Sequence, residues 1–138
     1  QRQMCIRDSH IGYNYRMPNI NAALGCAQLE NLDRYVADKR ETAARYVEFF
    51  KGKEDITFFT EPADCKSNYW LNAVVLKDKE AQLDFLEYTN DHGVMTRPVW
   101  ELMNRLPMFE HCETDGLENT EWLADRVVNI PSSVRLEN

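Results

Sequence analysis

Tyr69-Trp70-Leu71-Asn72-Ala73-Val74-Val75-Leu76 sets aromatic, β-branched and aliphatic residues between two polar borders, Ser67-Asn68 and Lys77-Asp78. Such a run reads as a strand, and its almost unbroken apolar character makes it the central one, with Tyr69, Trp70 and Leu71 in the core. Downstream, Leu83, Leu86, Glu87 and Asn90 recur at helical spacing, with Asp78 suited to the N-cap and Gly93 to the C-terminal stop, so a helix is predicted over 79–91. Val94 to Arg97 reads as a further strand, and Pro98 and Pro107 punctuate a short helical turn. A helix over about 119–126 then precedes the strand-like Val127-Val128-Asn129-Ile130 and a stop at Pro131.

Upstream of the central run, Ile56, Phe58 and Phe59 form a short strand closed by Pro62. Further back the period changes. Ile20, Ala23, Leu24, Ala27, Leu29 and Leu32 predict a helix over 18–33, with Pro18 in its first turn. Its small residues, Ala22, Ala23, Gly25 and Ala27, imply close packing against a large layer. A second apolar stripe, Val36, Ala43, Val47 and Phe50, continues to Lys51-Gly52, so the two segments read as one long or bent rod joined near Asp33. Residues 1–9 show neither period. The order of helix, helix, strand, strand, helix, strand, helix, strand fits an α+β layer, a small mixed or antiparallel sheet with helices on one face.

The chain has 138 residues, a net charge of −7, 43% hydrophobic and 28% charged residues, which is the profile of one ordinary folded domain rather than a fibrous or disordered chain. No run approaches the roughly 18 apolar residues of a membrane span, and no secretory leader pattern opens the chain, so a soluble, cytoplasmic protein with no membrane partner is expected. The acidic balance argues against a nucleic-acid partner. Four cysteines (Cys5, Cys26, Cys65, Cys112) and three histidines (His10, His92, His111) lack metal-ligand spacing, so no metal is expected and the thiols are read as reduced. The adjacent His111-Cys112 reads as a loop pair, and the acidic run from Glu110 to Glu121 as a solvated surface.

Three stretches carry more. Gly12-Tyr13-Asn14-Tyr15-Arg16-Met17-Pro18-Asn19-Ile20-Asn21-Ala22-Ala23, then Ser67-Asn68-Tyr69-Trp70-Leu71-Asn72, then Thr96-Arg97-Pro98-Val99-Trp100 together resemble the DegT/DnrJ/EryC1/StrS family. Those are pyridoxal-phosphate-dependent nucleotide-sugar aminotransferases of the aspartate-aminotransferase fold (fold type I), and the likeness runs from about Ile11 to Val134. Arg97-Pro98-Val99-Trp100, Leu106-Pro107-Met108-Phe109 and Asp125-Arg126-Val127-Val128-Asn129-Ile130-Pro131-Ser132-Ser133 look most like its LegC-type branch, which aminates UDP-4-keto-6-deoxy-N-acetylhexosamines at C4. The resemblance implies a C-terminal part of such an enzyme: residues 1–10 a ragged or foreign segment, 11–33 the tail of the cofactor-binding large domain, 34–138 the linking helix and small domain. The family's Schiff-base lysine, pyridinium-binding aspartate and ring-stacking residue lie before the Gly-x-Asn motif, so no catalytic residue is assigned here. The chain alone is expected to be inactive.

The implied whole enzyme takes an amino group, with glutamate as donor, to a 4-keto-6-deoxy nucleotide sugar such as UDP-4-keto-6-deoxy-N-acetylglucosamine, for surface polysaccharide or sialic-acid-like sugars. Its cofactor is pyridoxal 5'-phosphate. The resemblance makes Asn14 a ligand of the cofactor phosphate reaching across a homodimer whose active site is shared between subunits; by its spacing alone, Asn14 reads rather as a turn residue, and the motif context reverses that preference. Arg16 suits a sugar diphosphate through its bidentate fork, or an ordinary ion pair with a helix acid. Arg97 and Trp100 stand where a strand end turns into a loop, which the resemblance puts near the substrate, while a lone Trp such as Trp100 more commonly packs, here sealing the small domain. Tyr13 and Tyr15 are second choices as walls of the cofactor cleft. The rival reading is a non-catalytic dimerisation or interaction fragment.

Overall fold

The computed structural model describes residues 17–135. Asn14, Arg16, Tyr13 and Tyr15 lie outside the described residues, as does the segment 1–10. Helix α1 spans Asn19–Leu29, with Pro18 as its N-cap in an extended conformation, and α2 spans Leu32–Phe50. The join is therefore at Glu30-Asn31, ahead of the expected Asp33. Asn31 causes it: its side-chain amide donates to the Ala27 carbonyl at 3.1 Å and its backbone N–H to Gln28 at 3.1 Å, so the last carbonyls of α1 are satisfied by a turn. Helix α1 buries none of its residues.

Strands β1 (Ile56–Phe58), β2 (Asn72–Leu76), β3 (Arg97–Pro98) and β4 (Val127–Ile130) form one sheet in the order β1-β2-β4-β3, antiparallel throughout. The central pair is β2 with β4, where Val74 faces Val128 and both are fully buried. Alternation along β2 turns Asn72, Val74 and Leu76 inward, and β4 does the same with Val128 and Ile130. Ala43 of α2 and Phe58 of β1 complete the buried cluster, flanked by Tyr46, Phe50, Phe85 and Leu86. Phe58 stacks on Tyr46 and Tyr69 at centroid distances of 5.8 and 6.4 Å.

Helix α3 occupies Lys79–Asp91, as its spacing predicts, and the Asp78 carboxylate accepts from the Ala81 N–H at 2.9 Å as the expected N-cap. Gly93 follows with φ of 76°, the left-handed conformation that ends the helix. Its buried Gln82 donates to the carbonyls of Ala124 and Val127, both at 2.9 Å, and so ties α3 to the turn between α4 (Glu118–Ala124) and β4. A 3-10 turn at Met103–Arg105 fills the interval between the two prolines.

Two strand expectations shorten. Val94–Arg97 becomes Arg97–Pro98, because the chain leaves α3 through Gly93 and reaches the partner β4 only at Arg97. Pro98 is tolerated there since β3 is the sheet edge. The run from Tyr69 pairs only from Asn72, and the placement of Trp70 and Leu71 in the core is overturned: Trp70 is 64% exposed and Leu71 38%. No helix among the described residues is long and apolar enough to cross a membrane.

Candidate functional site

The segment ahead of β2 is held by its own side chains. Ser67 Oγ accepts from the Tyr69 N–H and Asn68 Oδ1 from the Trp70 N–H, each at 3.0 Å, two consecutive side-chain turns that reverse the backbone. Tyr69 pays for the reversal with φ of 46°, a left-handed conformation rare for an aromatic residue. Arg40 of α2 clamps the loop, donating through both terminal nitrogens to the Glu61 carboxylate at 3.0 and 2.6 Å and to the Ser67 carbonyl at 2.6 Å. The Arg40 guanidinium, and then the Ser67 N–H, hold the Glu61 carboxyl down to a pKa of about 2. Trp70 is thereby turned outward.

It emerges into a cleft of about 790 Å³ that also receives Arg97, Trp100, Lys39 and residues 129–133. Arg97 stands on β3 opposite Asn129, and Asn129 Nδ2 donates to the Pro98 carbonyl at 3.4 Å, fixing the edge that carries Trp100 two residues on. The indoles of Trp70 and Trp100 lie 6.4 Å apart between centroids, tilted by 31°. Arg97 touches Met95 Sδ at 3.4 Å and forms no ion pair among the described residues. Arg97 and Trp100, both expected from sequence, thus share one cleft. Trp70 and Lys39 were missed. Asn68 two residues before the Trp70 amide was the available sign, since an asparagine there favours a side-chain turn over a straight strand.

The opposite wall is the tail after β4. Ser132 Oγ accepts from the Asn72 N–H and donates to the Ile130 carbonyl, both at 2.7 Å, and Tyr46 Oη donates to the Pro131 carbonyl at 3.0 Å. Arg135 anchors the tail to α2: its backbone N–H and guanidinium bind Asp38 at 3.0 and 2.9 Å, and the guanidinium reaches Glu41 at 2.8 Å. The Arg135 N–H lowers the Asp38 pKa, and the Arg135 guanidinium, followed by that of Arg45, lowers that of Glu41. Lys39 bridges the walls, its amine donating to the carbonyls of Trp70, at 3.4 Å, and Ser132. A lysine that holds an aldehyde must present a free amine. Lys39, the lysine of the cleft lining, does not, so the cleft by itself does not supply the group that would hold the aldehyde of pyridoxal phosphate. Cys26, Cys65 and Cys112 are exposed thiols on other surfaces or loops, and Cys112 with His111 lies in the solvated loop before α4.

Over its full length, residues 1–138, the chain matches the DegT/DnrJ/EryC1/StrS aminotransferase family. The chain belongs to that family. A GDP-perosamine synthase of Escherichia coli O157:H7 is 32% identical over 130 residues, taking in 93% of this chain and 34% of that enzyme. Helicobacter pylori PseC, an aminotransferase involved in the biosynthesis of pseudoaminic acid, superposes with a TM-score of 0.80 at 20% identity, over 94% of this chain and 36% of its own. The E. coli GDP-4-keto-6-deoxy-D-mannose-3-dehydratase with bound hydrated PLP gives a TM-score of 0.72 at 20% identity, over 90% of this chain and 33% of its own. At those identities the two structures establish the fold, an aspartate-aminotransferase-like small α+β layer. The chain spans about a third of the length of the relatives it matches.

Proposed function

We propose that the whole protein, of which this chain is about a third, is an aminotransferase that moves an amino group from glutamate to a 4-keto-6-deoxy nucleotide sugar such as UDP-4-keto-6-deoxy-N-acetylglucosamine, within surface polysaccharide or sialic-acid-like sugar synthesis. The observation that carries this reading is the charge of the cleft. In a chain of net charge −7, the cleft is lined by two cations, Lys39 and Arg97, and by no carboxylate among the described residues. That lining favours an anion, and the exposed indoles favour a ligand with flat or apolar faces. A nucleoside-diphosphate sugar has both. The names of the relatives, a GDP-perosamine synthase and an aminotransferase of pseudoaminic acid synthesis, belong to the same chemical class.

The cofactor of this activity is pyridoxal phosphate, in keeping with the family and with the PLP-bound dehydratase of the same fold. Its aldehyde is held by a lysine that this reading assigns to the rest of the protein, and Asn14 binds its phosphate across a homodimer interface. Arg16 binds the sugar diphosphate. Arg97 contributes a bidentate donor to substrate oxyanions, and Trp100 contacts the substrate from the cleft rim. In this reading 11–33 belong to the large domain and 34–138 are the linking helix and small domain; the lack of any buried residue in α1 supports that division.

The test is amino transfer by the full-length protein supplied with pyridoxal phosphate and glutamate, offered the UDP, dTDP and GDP 4-keto-6-deoxy sugars. Mass spectrometry should find a 4-amino sugar with at least one of them, and UDP is the expected carrier. No amine on any of the three sinks the proposal. One observation favours the interaction-fragment reading: α1 leaves Ile20 and Leu24 on one face, at 82% and 61% exposure, and Leu29 on the opposite side at 67%, apolar residues available to another layer. A full-length protein that dimerises but aminates nothing would favour that alternative.

A further inference from the structure

We infer that the notch between Trp70 and Trp100 takes the flat heterocyclic base of the nucleotide, with its diphosphate toward Arg97. This rests on the nucleotide-sugar reading above and specifies which part of that substrate occupies the cleft. Two indoles on the rim of one cleft, 64% and 45% exposed, leave apolar π-faces in water. Their planes are tilted by 31° rather than parallel, so a ring that lies on one indole meets the other with its edge. Nucleobases stack on aromatic side chains whatever their sequence identity, because each has a π-face.

The polar inventory separates base from sugar. A hexose needs partners for several hydroxyls, but most of the polar side chains here are already engaged. The Lys39 amine is on two carbonyls, the Asn129 amide on Pro98, and the Ser132 hydroxyl on the Asn72 N–H and the Ile130 carbonyl. The exceptions are the small Ser133 hydroxyl and Arg97, the one with a charge. Its guanidinium has only a thioether beside it and no acidic partner among the described residues, which leaves its fork available to a phosphate. Stacking surface and a cation without an acidic partner are what a nucleoside diphosphate uses, whereas a sugar ring would leave most of its hydroxyls unpaired. Trp70 is then a binding residue, held outward by the Ser67-Asn68 turns and the Arg40–Glu61 clamp.

The experiment is calorimetric titration of the full-length, cofactor-loaded protein with UDP, with GDP and with inorganic pyrophosphate. Trp70→Ala is expected to weaken the nucleotide about 5- to 150-fold, the range that loss of one base–aromatic stack spans, and to change pyrophosphate less than about twofold. Trp70→Phe should keep most of the affinity, and Arg97→Met should weaken nucleotide and pyrophosphate alike. Unchanged nucleotide affinity in Trp70→Ala, equal losses for nucleotide and pyrophosphate, or failure of the parent protein to bind either nucleotide would each overturn the base site. Amino transfer is read in parallel. Transfer that persists while nucleotide affinity ignores Trp70 removes this inference and leaves the proposed activity; Trp70-dependent nucleotide binding without transfer does the reverse.

Discussion

Replacing Gln82 with leucine removes three side-chain hydrogen bonds while keeping the side chain's approximate volume, and so separates polar satisfaction from packing where α3 is tied to the turn before β4. Gln82 is fully buried and ranks among the largest fully buried side chains of the described residues. Its Nε2 donates at 2.9 Å to the carbonyls of Ala124 and Val127, and its Oε1 accepts from Lys79 at 2.7 Å. Lys79 is half exposed and recovers its lost acceptor from water. The two carbonyls gain no such replacement beneath α3. Unpaired buried acceptors cost about 1–3 kcal/mol each, and partial access of water to this turn reduces the sum to about 2–4 kcal/mol. Hydrogen exchange of the full-length protein reads this locally: peptides covering 118–130 should exchange about 30- to 700-fold faster in Gln82→Leu. Gln82→Ala should exceed that by the cavity it leaves. If packing alone mattered, Gln82→Leu would sit within about 0.5 kcal/mol of the parent and only Gln82→Ala would be costly; that result would refute the reasoning.

Two further outcomes are accessible to the same protein. Asp78→Ala removes the N-cap of α3 and should cost about 1 kcal/mol, seen as roughly fivefold faster exchange at Ala81 and its neighbours, with Asp78→Ser close to the parent. The Glu61 carboxyl, held by Arg40 to a pKa of about 2 against an ordinary 4.5, contributes its stabilisation in full above 4.5 and loses it as the pH falls through about 2. A carbon-labelled Glu61 should therefore stay ionised at about pH 3, where a free glutamate is protonated, and Arg40→Met should return its midpoint toward the ordinary value. A midpoint near 4.5 in the parent would show that the clamp on the Trp70 loop does not form.

Periodicity located what the core needed. The helix over 79–91, its Asp78 cap and the strand Val127–Ile130 all follow from spacing and end signals, because each is built from contacts within a few residues or from burial that alternation records. The sheet edge was less legible. Val94, Met95 and Thr96 have strand composition, but pairing depends on where the chain emerges from Gly93 relative to β4, and only Arg97 and Pro98 reach it. Helix α1 marks another limit, since the recurrence of Ile20 and Leu24 identifies a helical face without specifying the layer that covers it.

The cleft was half legible, and Trp70 shows why. Counting back by twos from the buried Leu76, Val74 and Asn72 puts Trp70 on the inward face, and a pattern argument has to bury it. The count fails because the Ser67 and Asn68 side chains capture the next two amides and drive Tyr69 to positive φ, which stops the strand geometry before it reaches position 70. Tyr69 then packs on Phe58 while Trp70 faces the cleft. Lys39 was hidden for a different reason: its partners, Trp70 and Ser132, stand 31 and 93 residues away, and no local pattern encodes carbonyls brought together only by the fold. Arg97 and Trp100 were named by a motif and share the cleft, yet its walls also depend on Trp70, which local patterning buried, and on Lys39, which it passed over. A binding surface assembled from strand ends and loop turns is where period-based reading should fail, since side chains kept available for a ligand are not the ones burial selects.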